Sequence, residues 1–94
     1  MIKTFLITYD LKEIGRSPRD FSKFYDKIKE IGTWKHPIES TWIIKTENLI
    51  ARDIYDRLKP LINDTDSIFI VEITNSDKSG WLGKSFWQWC GCSK

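Results

Sequence analysis

The chain has 94 residues, with 15 Lys and Arg against 13 Asp and Glu and a formal net charge of +2. That length is expected to make one domain near the small end of what folds without staples, residues 1–74 as a core and 75–94 as an extension. So even a charge balance excludes a nucleic-acid binder driven by net charge alone, so such binding needs a local cluster. No apolar run is long enough to span a bilayer and no signal-peptide pattern stands at the start, so no membrane partner and a cytoplasmic location are expected.

Residues 1–10, MIKTFLITYD, open the chain as a strand. Apart from Met1 and Lys3, residues 1–9 are β-branched, aromatic or aliphatic, which favours an extended backbone. The strand ends on the carboxylate of Asp10 and runs into a polar loop carrying Lys12 and Arg16. A carboxylate at the lip of a central strand beside cations can hold a metal near a phosphate. Ser17, Pro18 and Asp20 then form a helix start, with a capping hydroxyl, a proline suited to the first turn and an acid that reaches back. Phe21, Phe24, Tyr25, Ile28 and Ile31 recur at helical spacing as one apolar stripe, and Gly32 closes the helix from the position after its end.

Residues 33–39 and 40–46 read as a hairpin, with Trp34, Trp42, Ile43 and Ile44 supplying strand-forming bulk. Pro37 cannot donate to a ladder and marks the turn or an edge. The second helix spans 49–62 on a stripe of Ile50, Ile54, Leu58 and Leu61, with Pro60 tightening its last turn. A polar turn at 63–66 leads to the last core strand, SIFIVEIT at 67–74. Residues 81–90 place Leu82, Phe86, Trp89 and Cys90 at helical spacing, which predicts a short third helix. Cys90 and Cys92 are too few for a structural zinc site and far in sequence from the single His36. They read as reduced thiols, with an intersubunit disulfide or a metal shared by two chains as alternatives.

The order β-α-β-β-α-β defines an α+β class with the ferredoxin-like pattern, and right-handed crossovers give an antiparallel sheet in the order 4-1-3-2 with two helices on one face. This topology gathers Asp10, His36, Glu39, Ser40 and Asp66 at one rim, with Lys12, Arg16 and Arg19 on the neighbouring loop. It leaves a second sheet face expected to carry Leu6, Ile68 and Ile70, which asks for a partner: a second copy, sheet against sheet, or the Trp-rich tail.

Three segments carry a resemblance: Tyr9-Asp10 at the end of the first strand, Gly32-Thr33-Trp34-Lys35-His36-Pro37-Ile38-Glu39-Ser40-Thr41-Trp42-Ile43-Ile44, and Phe69-Ile70-Val71-Glu72-Ile73. Over residues 1–74 the chain resembles the SinR-like family, itself related to the small core nuclease of CRISPR spacer acquisition and, more distantly, to the VapD ribonucleases. The resemblance implies a ferredoxin-like homodimer in which Asp10 of each subunit meets its mate and holds a divalent cation, Mg or Mn, with Ser40 matching a recurrent serine. The tail beyond Thr74 departs from that pattern.

The expected function is therefore a homodimer acting on nucleic acid. Asp10 is the metal ligand and catalytic carboxylate, Ser40 and His36 are further catalytic candidates, and Lys12, Arg16 and Arg19 track the phosphate backbone. The alternatives are a non-catalytic binder of nucleic acid or nucleotide, and a protein-interaction module of a defence or phage-related kind that docks through its Trp-rich tail.

Overall fold

The computed structural model describes residues 1–12 and 21–91. Strand β1 is Ile2–Asp10, helix α1 Ser22–Ile31, β2 Thr33–Ile38, β3 Thr41–Glu47, α2 Ala51–Leu58, β4 Ser67–Glu72 and α3 Lys84–Cys90. A 3-10 turn, Lys59–Leu61, extends α2 and contains Pro60, as the proline's missing donor requires. The sheet is antiparallel in the order β2-β3-β1-β4, which read from the other edge is the expected 4-1-3-2. Among the described residues no helix is long and apolar enough to cross a membrane.

Alternation along β1 builds two cores. Phe5, Ile7 and Tyr9 point to one face and pack with Phe24, Ile28 and Ile31 of α1, Ile54 and Leu58 of α2, and Trp42 and Ile44 of β3. Leu6 points the other way and packs with Ile43, Ile73 and the α3 residues Phe86 and Trp87. The tail thus folds back as a third helix and covers part of the second face. It is shorter than 81–90: Trp81 is fully exposed, and Trp87 rather than Trp89 is buried with Phe86. Lys45 on β3 donates to the Trp89 carbonyl and lies 4.8 Å above the Trp89 ring, a cation placed at the helix C-terminus. Gly91, at φ 72, ends α3 in the left-handed conformation, its N–H donating to the Trp87 carbonyl at 3.1 Å.

Three expectations change. Ile68 and Ile70 stand opposite Tyr9 and Ile7 and pack on the main core, whereas Val71 and Phe69 stand opposite Leu6 and Thr8. The segment SIFIV is apolar at every inner position, so only its register against β1 separates the two faces. The hairpin turns at Glu39 and Ser40, so His36 and Pro37 belong to β2; the pairing slips between Lys35 and Ile38, which accommodates the proline on an edge strand. Gly32 does follow α1, but its φ of 179° is extended backbone. It is glycine because a Cβ there would lie 2.0 Å from the Lys45 carbonyl oxygen. The helix-start residues Ser17, Pro18 and Asp20 lie outside the described residues.

Candidate functional site

The C-terminal end of β1 forms the rim, and pairing divides its side chains between the two faces. Tyr9 faces the helices. Its hydroxyl donates to the Glu39 carbonyl at 3.1 Å and accepts from the Trp42 indole at 3.0 Å. Its ring lies edge-on to Phe24, with centroids 4.8 Å apart. Burial first, then the neighbouring Tyr25 hydroxyl, pushes the Tyr9 phenol well above its ordinary range. The backbone of the same residue ties β1 to the hairpin turn, Tyr9 N–H donating to the Ser40 carbonyl at 3.1 Å.

His36 belongs to this helix-side network. Its imidazole stacks on Trp42 at 4.0 Å with planes 14° apart, sits edge-on to Tyr25, and its Nε2 lies 2.8 Å from the Glu39 carbonyl. Glu39 therefore serves the site through its backbone oxygen, which satisfies both the phenol and the imidazole.

Asp10 faces the other way. It pairs with Ser67 across the β1–β4 ladder, is exposed, and accepts from Lys12 Nζ at 2.6 Å through Oδ2. Around it on this face stand Thr8, bonded to Thr41 through their hydroxyls at 3.2 Å, and the side chain of Phe69, 61% exposed. Ile38, 53% exposed, stands beside Thr41. Helix α3 covers the Leu6 and Ile43 end of the face, so this open part is where Asp10 lies. Asp66, the second acid of the rim, is a clamp. Its Oδ1 accepts the Lys12 N–H at 2.8 Å and its Oδ2 the Asn63 N–H at 2.7 Å, which fastens the loop after β1 to the turn before β4.

Of the expected site residues, Asp10 and Lys12 are in contact, and Asp10 and Ser40 both line a cavity of about 200 Å³ with Tyr9, Phe21 and Tyr25. His36 is not among the residues that line this cavity. Arg16 and Arg19 lie outside the described residues. Among the described residues no group of three or more His, Cys, Asp or Glu side chains could hold a metal ion. The rim thus offers the Asp10 carboxylate, already paired with an ammonium, and the Asp66 carboxylate, already bonded to two backbone N–H groups, which does not by itself fit Mg or Mn. Cys90 is disulfide-bonded rather than the reduced thiol expected, and the other cysteine lies outside the described residues.

Sequence reasoning missed Tyr9 and Phe69. Tyr9 was legible as strand bulk and as part of the Tyr9-Asp10 strand end, but not as a site residue, although a tyrosine that alternates with core residues must find a partner for its hydroxyl. Phe69 was hidden in an apolar run. These features define a small α+β protein with a four-stranded antiparallel sheet and one polar rim. No family model matches the chain, and no solved structure matches it.

Proposed function

We propose that this protein has a ferredoxin-like arrangement and works as a homodimer that acts on nucleic acid, with the open part of the second face as the contact between copies. The observation that carries the reading is the position of Asp10. It stands with Lys12 on the one stretch of that face that α3 leaves uncovered, beside the exposed Phe69. A two-fold axis there brings two Asp10 carboxylates together and supplies a second acid in place of Asp66, whose oxygens are taken by backbone N–H groups. Phe69 and Ile38 supply apolar area for the contact, about 1.5–3 kcal/mol for each side chain fully removed from water. Leu6 is under α3, so the contact rests on Phe69 instead.

In the stronger form of the reading, the paired carboxylates hold Mg or Mn and the dimer cleaves phosphodiesters in RNA or DNA. In the weaker form the dimer only binds. The Lys12 ammonium on Asp10, and the engagement of His36 with Glu39 and Trp42, favour the weaker form.

The test compares wild type with Asp10→Asn and Phe69→Lys. Light scattering at tens of micromolar should give a dimer for wild type and a smaller mass for Phe69→Lys. Labelled RNA and DNA oligonucleotides should bind with an affinity that falls steeply with salt. Incubation with Mg²⁺ or Mn²⁺ separates the two forms: cleavage lost in Asp10→Asn supports the stronger one. A monomeric wild type, or oligonucleotide binding absent at low salt, overturns the proposal.

A further inference from the structure

Helix α3 covers the middle of the second sheet face, over Leu6 and Ile43. Asp10 lies beyond it at one end, and the start of β1 lies at the other. There the face carries Ile2 and Thr4, with Lys45 opposite Thr4. The turn after β4 is anchored to β1, Ile73 N–H donating to the Thr4 carbonyl at 2.7 Å, and Ser76 N–H closes the turn on the Ile73 carbonyl at 3.1 Å. Asn75 supplies the left-handed residue of that turn, at φ 58. The end of α3 is anchored to β3 through Lys45 and the Trp89 carbonyl. Between the turn and Cys90 and Gly91 of the helix end lies a cavity of about 640 Å³, well above the 200 Å³ of the one beside Asp10. It falls within the range of small-molecule sites, roughly 300–1,000 Å³.

Two half-buried cations line this cavity, Lys45 and Lys78. Lys45 Nζ donates to the Trp89 carbonyl, and Lys78 Nζ donates to the Ser76 carbonyl at 3.0 Å. Both acceptors are neutral, and among the described residues neither lysine has a carboxylate partner. An ammonium has three donors, so each lysine keeps two of them and its whole charge. Thr74 adds a hydroxyl. Its Oγ1 accepts the Thr4 N–H at 2.9 Å, and its own proton is left to donate. At the end of α3 the Trp87 carbonyl is taken by Gly91 N–H and the Trp89 carbonyl by Lys45, which blunts the negative end of the helix. Among the described residues Asp77 is the one acid in the lining, and it is exposed; Glu47, opposite Ile2, is not in the lining. A carboxylate only accepts, so Asp77 suits a hydroxyl-bearing part of a ligand and repels a second anionic group.

We propose that this cavity binds a small phosphate monoester that carries neighbouring hydroxyl groups, the chemistry shared by sugar phosphates and ribonucleotides. A phosphate monoester carries about −1.5 to −2 charges at neutral pH, which matches two ammonium groups. Its terminal oxygens take the free donors of Lys45, Lys78 and the Thr74 hydroxyl. Asp77 accepts from the neighbouring hydroxyls, as acidic residues do for ribose in dinucleotide sites. The volume exceeds what a bare phosphate needs, and Asp77 gives the remainder of the ligand a partner. A nucleic-acid strand fits less well, because Asp77 repels the next phosphate along the backbone. The inference uses no residue of the Asp10 rim.

The probes are ribose 5-phosphate and adenosine 5′-monophosphate, with ribose, adenosine and inorganic phosphate as controls. Titration of the full chain should give saturable shifts of the Thr74, Asn75, Ser76 and Lys78 amide resonances at millimolar ester or below. Saturation by ribose 5-phosphate, with or without the nucleotide, identifies a sugar phosphate as the ligand; saturation by the nucleotide alone identifies a ribonucleotide. Lys45→Met and Lys78→Met should each weaken binding about fivefold or more, the first keeping the stem that packs beside α3. Asp77→Asn should weaken the esters but not inorganic phosphate, which separates a shaped site from a patch of positive charge. Inorganic phosphate bound as tightly as the esters, equal binding of phosphate-free ribose or adenosine, no saturation at tens of millimolar ester, or binding unaltered in both lysine variants would each overturn the proposal. None of these variants alters Asp10 or Phe69, so failure here is distinct from failure of the homodimer.

Discussion

Tyr9 and Gly32 are two residues whose identity is set by a neighbour's backbone. The Tyr9 hydroxyl satisfies the buried indole of Trp42 and spends its own proton on the Glu39 carbonyl. Tyr9→Phe should destabilise the protein by about 1–3 kcal/mol in chemical denaturation, because the indole N–H is left without its acceptor. The folded phenol also titrates above its ordinary value of 10.0. Its contribution is present below that pH and is lost as pH rises above it, since the unfolded chain gives up the proton first. Wild type should therefore lose stability faster than Tyr9→Phe above pH 10, by up to about 1.4 kcal/mol per pH unit. Gly32→Ala should cost about 3 kcal/mol, because its Cβ meets backbone and the hairpin has to move off α1. In thermal melts that is a fall of roughly 12–24 °C.

At the scale of elements, α1 and α2 were legible because their apolar residues keep one period: Phe24, Ile28 and Ile31 in α1, and Ile54 and Leu58 in α2, are all buried. Ile50 broke that stripe. It is 57% exposed and flanks α2, where its N–H is taken by the Asp53 carboxylate at 2.9 Å. The faces of β4 were not legible, since a strand apolar on both sides carries no alternation to read. The rim was legible as a place but not as a site. Topology brings the ends of β1, β2 and β4 together, whereas the parity of Tyr9 and Asp10 assigns them to opposite faces, and chain order alone does not say which partners each meets. For α3 the expected outcome is specific. Trp87→Ala should cost about 3–5 kcal/mol, as for other buried aromatics. It should also raise the binding of an apolar dye, because Leu6, Ile43 and Ile73 lose their cover. Lys45→Met should cost much less, since it removes a cation from a helix terminus but keeps the stem that packs there.

At the scale of the whole molecule, the sheet is a wall shared by two cores of unequal size. Among the described residues the main core holds ten buried side chains and the α3 core three. Two of the three, Phe86 and Trp87, belong to α3 and are joined to the sheet through a connection, residues 73–83, that is largely surface. The smaller core can therefore be lost while the ladder between β1, β3 and β4 stays closed. Native-state amide exchange should resolve this as two opening free energies, a low one for α3 and a higher one for β1, whose amides are released only when the whole sheet opens. Each core carries its own fluorophore, Trp87 in the smaller and Trp42 in the larger. Variants that retain one or the other should give emission curves that part company in denaturant, with Trp87 leading. The protein would then pass through a species that keeps its sheet but has shed its last helix, a departure from all-or-none unfolding built into a chain of 94 residues.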